Sequence, residues 1–138
     1  MEEQRVGSFR FLIDFSQPLY EQVLNQVRSS IAKGEIEMGS KMPSVRDLAQ
    51  ELRMNPNTVM RAYQELERDG LTEKRRGLGT YVTSSSERIN SFREQLARTY
   101  IDQFLGQMSS LGLSWEDVQQ YISSKQSGND EKGGGERA

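Results

Sequence analysis

Between Met42 and Val82 the chain reads MPSVRDLAQELRMNPNTVMRAYQELERDGLTEKRRGLGTYV, and the punctuation of this stretch leaves few folds open. Ser44 stands where its hydroxyl can cap a helix, with Asp47 three residues on as a capping-box partner. Val45, Leu48, Ala49 and Leu52 give that helix one apolar side. A second helix opens at Asn55 and Pro56, a cap and a first-turn proline each worth about 1 kcal/mol. Gly70 ends it. Leu71 to Lys74 and Thr80 to Val82 then read as paired strands joined through Gly77 and Gly79. Helix, tight turn, helix and two-stranded ribbon in this order is the plan of a winged helix-turn-helix, whose second helix enters the DNA major groove.

The outer face of the second helix agrees with that plan. At about 100° per residue, Val59, Ala62, Tyr63 and Leu66 cluster on the side that packs inward, and Asn57, Arg61, Gln64 and Arg68 lie almost opposite. Amide and guanidinium groups pair with adenine and guanine edges. Asn57 and Arg61 sit toward the N-terminal end that points at the bases in this docking mode. Thr58, at the margin, is placed to bond a phosphate with help from the helix dipole. Any surface helix has a polar face; what makes this one a reading surface is its place between a matching helix-turn and a basic ribbon. Arg46 lies in the first turn of the preceding helix, where a cation opposes the dipole, so an external anion, a DNA phosphate or a guanine edge accounts for it. Lys74-Arg75-Arg76 is the only run of three basic residues in the chain. With Gly77 and Gly79 allowing a tight turn and close backbone approach, this tip can reach phosphates or the minor groove.

Elsewhere the pattern is plainer. Residues 1 to 9 read as frayed, and Arg10 to Phe15 as a short strand. A helix opens at Pro18, carries Leu19, Val23, Val27 and Ile31 on one face with Tyr20 and Leu24 in support, and stops at Gly34. After Ser84-Ser85-Ser86 a long amphipathic helix is marked by Ile89, Phe92, Leu96, Tyr100, Phe104, Met108 and Leu111. A short helix follows, capped by Ser114 with Asp117, and bearing Trp115, Val118, Tyr121 and Ile122. The closing SGNDEKGGGERA is too polar to bury a core and reads as disordered.

Composition removes other classes. The chain of 138 residues has no Cys and no His, which excludes disulfides, thiolate or imidazole metal sites and imidazole catalysis. No cofactor is expected. No run approaches the roughly 18 to 20 apolar residues of a membrane span, and no secretory signal opens the sequence, so a cytoplasmic protein is expected. The net charge is −2, unusual for a DNA binder. Acids and bases nearly balance over residues 10 to 82, so phosphate attraction must come from local placement.

PSVRDLA, NTVMRAYQELERDGL and RRGLGTYV together resemble the DNA-binding signature of the GntR family of bacterial transcription regulators, over residues 17 to 82. NPNT at 55 to 58 and the short C-terminal region resemble its YtrA-like subfamily. The resemblance implies DNA contacts at Arg46, Thr58, Arg61 and the wing around Gly77, a C-terminal dimerisation unit, and repression of operons that encode ABC transporters and often the regulator itself. Pro56 stands where many members carry a base-reading Arg, and Met60 replaces another, so operator preference does not carry over. Arg53 fills a turn position usually held by Gly; a left-handed conformation there costs about 1–2 kcal/mol.

The expected architecture is α+β and mainly α. A winged helix-turn-helix domain spans residues 10–83, a C-terminal helical dimerisation region 84–125 and a disordered tail 126–138. Expected DNA contacts are Ser44, Arg46, Asn55, Asn57, Thr58, Arg61, Gln64, Arg75, Arg76, Gly77 and Gly79. Phe92, Leu96, Tyr100, Phe104, Met108, Leu111 and Trp115 form the expected dimerisation face, the alternative being that this helix folds back on its own domain. Two-fold pairing would double the readout on a palindromic operator in double-stranded DNA. A small-molecule effector stays open. Two other functions compete: a winged helix used only for protein interaction, and an enzyme joined to a reader domain, for which too few residues follow Val82.

Overall fold

The computed structural model describes residues 1–133, with elements in the order β1 (Glu2–Val6), β2 (Phe9–Ile13), α1 (Leu19–Ala32), α2 (Val45–Leu52), α3 (Pro56–Arg68), β3 (Thr72–Arg75), β4 (Gly79–Val82), α4 (Ser86–Ser110) and α5 (Trp115–Gly133). It falls into two compact units, Met1–Gln95 and a second beginning at Leu96.

In the first unit α3 packs against both α1 and α2. Val23, Val27 and Ile31 of α1, Leu48 and Leu52 of α2, and Val59, Ala62 and Leu66 of α3 are essentially inaccessible to solvent. The caps form where expected. Ser44 Oγ accepts from Asp47 N at 3.0 Å, and Asn55 Oδ1 accepts from Asn57 N at 2.8 Å with Pro56 in the first turn. Gly34 and Gly70 follow their helices at φ 78° and 80°. Arg53 ends α2 in the left-handed region, at φ 54° and ψ 48°. It is the one non-glycine residue with positive φ among the described residues.

The ribbon β3–β4 is antiparallel, with Thr72 opposite Val82 and Arg75 opposite Gly79. Its neighbour was not legible in the sequence. The stretch before α2 runs antiparallel to β4, with Met42 N donating to Thr80 O at 2.8 Å and Val82 N to Ser40 O at 2.9 Å, and Lys41 bridging Tyr81.

The N-terminus corrects an expectation. Residues 2–6 are not frayed but pair with β2 in register, Glu2 opposite Ile13 and Val6 opposite Phe9, through a turn at Gly7. Val6, Phe9, Phe11 and Ile13 share the buried face of this hairpin. Its outer edge on β2 is closed by side chains of α1. Gln26 exchanges two hydrogen bonds with the backbone of Leu12, at 2.8 and 2.7 Å, and Gln22 does the same with Asp14, at 2.8 Å each. Two glutamines one helical turn apart thus supply what a third strand would.

Arg28 of α1 meets Asp69, the residue that ends α3, through two parallel hydrogen bonds of 2.8 and 3.0 Å. The same guanidinium lies 5.4 Å from the centre of the Phe92 ring. Phe92 is therefore buried inside its own unit, a correction to its place in the expected dimerisation face.

In the second unit α4 ends at a left-handed Gly112, and α5 opens on a reciprocal capping box. Ser114 N donates to Asp117 Oδ2 at 3.0 Å and Asp117 N to Ser114 Oγ at 3.1 Å. Helix α5 runs on to Gly133, so residues 126–133 are helical where a disordered tail was expected; residues 134–138 lie outside the described residues. Extending a nucleated helix fixes one residue per added bond, far easier than starting one, and a polar composition does not oppose it.

Candidate nucleic-acid interface

The site is assembled from the exposed side of α3, the first turn of α2 and the β3–β4 tip. Asn57, Arg61 and Gln64 are exposed, and Thr58 beside them is half-buried. The apolar residues of the same helix, Val59, Ala62, Tyr63 and Leu66, are all buried, so the amphipathic division read from the sequence holds. Arg68, at the far end of the row, is tied to Glu65 one turn back.

Arg61 is held in a way periodicity did not reveal. Its guanidinium carbon lies 4.2 Å from the centre of the Tyr20 ring on α1. Stacking uses the flat face of the guanidinium and leaves the in-plane N–H donors free, the same donors that form a bidentate pair with a guanine edge. Tyr20 is half-buried, and the sequence reading had placed it as support for the core.

Arg46 is exposed in the first turn of α2 and makes no ion pair among the described residues. It shares one shallow groove of about 440 Å³ with Gln50, Arg53, Asn55 and Pro56. Ser44 and Asn55 use their side-chain oxygens as helix caps, and each still carries a donor suited to a phosphate oxygen: a hydroxyl proton and an amide NH₂.

On the ribbon, Arg75 lies 4.1 Å from the centre of the Tyr81 ring and 3.4 Å from Glu73. Arg76 has no ion pair among the described residues and stands at the exposed turn with Gly77 and Leu78. Gly77 and Gly79 take φ of 75° and 110°. The φ of Gly79 is what calls for glycine there, and a Cβ at that position would crowd the end of the Lys41 side chain, with Cε at 3.2 Å. Lys41, missed from the sequence, thus stands beside the wing as an additional cation.

Tyr63 fixes the site from within. Its hydroxyl donates to Pro43 O at 2.6 Å, tying α3 to the segment entering α2. Burial, assisted by the nearby Asp47 charge, pushes its ionisation well above the usual phenol range. Among the described residues no group of acids could hold a metal ion, and no helix is long and apolar enough to cross a membrane.

The expected dimerisation face is largely open in the single chain. Tyr100, Phe104, Leu111 and Trp115 are exposed, and Leu96 and Met108 are half-buried. Ile101 and Leu105, not singled out in the sequence, are exposed as well, as are Tyr121 and Ile122 on α5.

The family model described as bacterial regulatory proteins, gntR family, matches residues 19–82. The uncharacterized HTH-type transcriptional regulator YhcF of Bacillus subtilis (strain 168) is 38% identical over 103 residues, 75% of this chain and 85% of that protein. The HTH-type transcriptional repressor YtrA of the same organism is 38% identical over 125 residues, 86% of this chain and 91% of that one. Among solved structures, a GntR family transcriptional regulator from Listeria monocytogenes superposes with a TM-score of 0.69 at 35% identity, covering 81% of this chain and 98% of its own. YtrA from Sulfolobus acidocaldarius, a GntR-family transcription factor, gives a TM-score of 0.53 at 33% identity, covering 85% and 97%.

Proposed function

The chain belongs to the GntR family of bacterial regulatory proteins, in its YtrA-like branch, and from that premise we propose that it represses transcription as a homodimer seated on a palindromic operator. That it is a DNA-binding transcription regulator and not an enzyme follows from the family. The dimer, the operator symmetry, the residues in contact and the cytoplasmic setting are the proposal.

One observation carries the assignment of contacts. The exposed row Asn57, Arg61 and Gln64 lies on the helix that follows the turn, with Arg61 braced on Tyr20 and its hydrogen-bonding edge free. Asn57, Arg61 and Gln64 read bases, each good bidentate pair supplying about 1–3 kcal/mol of discrimination. Thr58, Ser44, Asn55 and Arg46 hold phosphates or the groove edge, and Arg75, Arg76, Gly77 and Gly79 bring the wing to the backbone. A single helix reads too few bases for a unique site, which is the reason for two-fold pairing through Tyr100, Phe104, Met108, Leu111 and Trp115 of the second unit. The regulated genes in this proposal are its own operon and ABC transporter genes; the likeness to a transcriptional repressor supports the sign of the regulation.

Fluorescence anisotropy with DNA from upstream of its own gene tests this. Arg61→Ala should weaken specific binding by roughly 1–3 kcal/mol and leave nonspecific binding nearly intact. Arg76→Gln should weaken both and lower the slope of log K against log salt by about 0.9. Equal loss on both DNAs for Arg61→Ala overturns the base-reading role.

A further inference from the structure

The outer face of the N-terminal hairpin carries a cross-strand pair that stability alone does not favour. Arg5 and Arg10 are directly opposite each other in the β1–β2 register, and like charges so placed destabilise the pair. Glu3 lies between them, 3.2 Å from Arg10 and 4.0 Å from Arg5, and one carboxylate is shared by two guanidiniums. All three side chains are largely exposed, so this sharing does little to offset the repulsion.

These two arginines line a groove of about 530 Å³ whose opposite wall is one stripe of α1, with Ser29, Ser30 and Lys33 on it and Glu35 at its end. Lys33 has no ion pair among the described residues. Three cations therefore line one concave surface together with three hydroxyls, those of Ser8, Ser29 and Ser30, and one acid. The volume is that of a small-molecule site. The hairpin lies outside the matched family segment, residues 19–82, and shares no residue with the row on α3 or the wing tip.

We propose that this groove binds a small anion bearing more than one phosphate group. Arg5 and Arg10 present paired donor forks suited to phosphate oxygens, Lys33 adds a point charge from the helix side, and the hydroxyls of Ser29 and Ser30 complete the shell. Bound anion cancels the Arg5–Arg10 repulsion that the free protein retains.

Calorimetric titration of the full chain with inorganic pyrophosphate at low ionic strength is the test, beside Arg5→Gln/Arg10→Gln, Lys33→Gln and the remote control Lys125→Gln. Saturable one-to-one binding is expected, weakened at least tenfold in the hairpin double variant, about threefold or more in Lys33→Gln, and unchanged in Lys125→Gln. Lys33→Gln leaves the hairpin sequence intact, so its loss stands even where the double variant disturbs the strands. No saturable heat with millimolar pyrophosphate, or an equal loss in the Lys125 control, overturns the site. The same phosphate chemistry has a second source in duplex DNA. If pyrophosphate does not bind while the double variant lowers the salt slope for nonspecific DNA by about 1.8, the groove is a flank of the DNA surface and the small-anion proposal fails.

Discussion

Arg61 on α3 rests its guanidinium on the ring of Tyr20 on α1, 4.2 Å from centre to carbon. The side chain proposed to read a base is thereby held before any DNA arrives, and the freedom it would otherwise lose on binding is already restricted. A contact of this kind is worth about 0.5–1 kcal/mol at an exposed position. Tyr20→Leu should weaken specific DNA binding roughly two- to fivefold, and Tyr20→Phe, which keeps the ring, should stay within about twofold of the parent. Equal losses for the two variants in anisotropy titrations would show that the ring is not what matters.

Arg53 is held at φ 54° at the end of α2, a conformation costing a residue with a Cβ about 1–2 kcal/mol. Arg53→Gly removes that strain and gives up an exposed ion pair with Glu2 at 3.0 Å, worth well under about 1 kcal/mol. A net gain of roughly 0.5–1 kcal/mol is expected in urea unfolding. A destabilised glycine variant would contradict the assignment of strain.

Tyr63 holds its proton more tightly in the folded chain than in the unfolded one. Below the usual phenol value of about 10 both states are protonated and the group adds no pH dependence. Above it the unfolded chain releases the proton and the folded chain does not, so stability falls as pH rises past 10. Tyr63→Phe should flatten that fall. It should also cost about 1 kcal/mol at neutral pH through the lost hydrogen bond to Pro43 O. Chemical unfolding at several alkaline pH values in parent and variant checks both.

Tyr100 and Phe104 stand exposed on α4, which a second copy of the chain would cover. A Tyr100→Glu/Phe104→Glu variant should sediment as a monomer at micromolar concentration, with the unfolding of Met1–Gln95 unchanged. Operator affinity should drop by more than tenfold, since a lone half-site reader keeps only half the contacts. A double variant that remains dimeric would place the pairing surface elsewhere.

The parts of this protein that could be read from its sequence are those specified locally. Ser44, Asn55 with Pro56, and Gly70 each act within a few residues, so the caps and the helix ends stand where the pattern put them. The division of α3 into a buried and an exposed side follows from helical spacing alone. What escaped was set by distant chain. EEQRV has little strand character of its own and becomes β1 through Val6 in the core and the register with β2. Tyr20 meets Arg61 only because α1 crosses α3, and Phe92 left the expected pairing face because Arg28 lies over it. Lys41 joined the wing through a single bridge to Tyr81, which no spacing rule announces.

Gln22 and Gln26 close the β2 edge with four hydrogen bonds to Leu12 and Asp14, and this governs how the chain behaves in a crowded cell. A bare strand edge is a template on which other chains can stack. Among the described residues of this hairpin it is β1 that keeps an open margin, and Glu2, Glu3 and Arg5 along it are charged and exposed, a guard against the sheet growing from one molecule into the next.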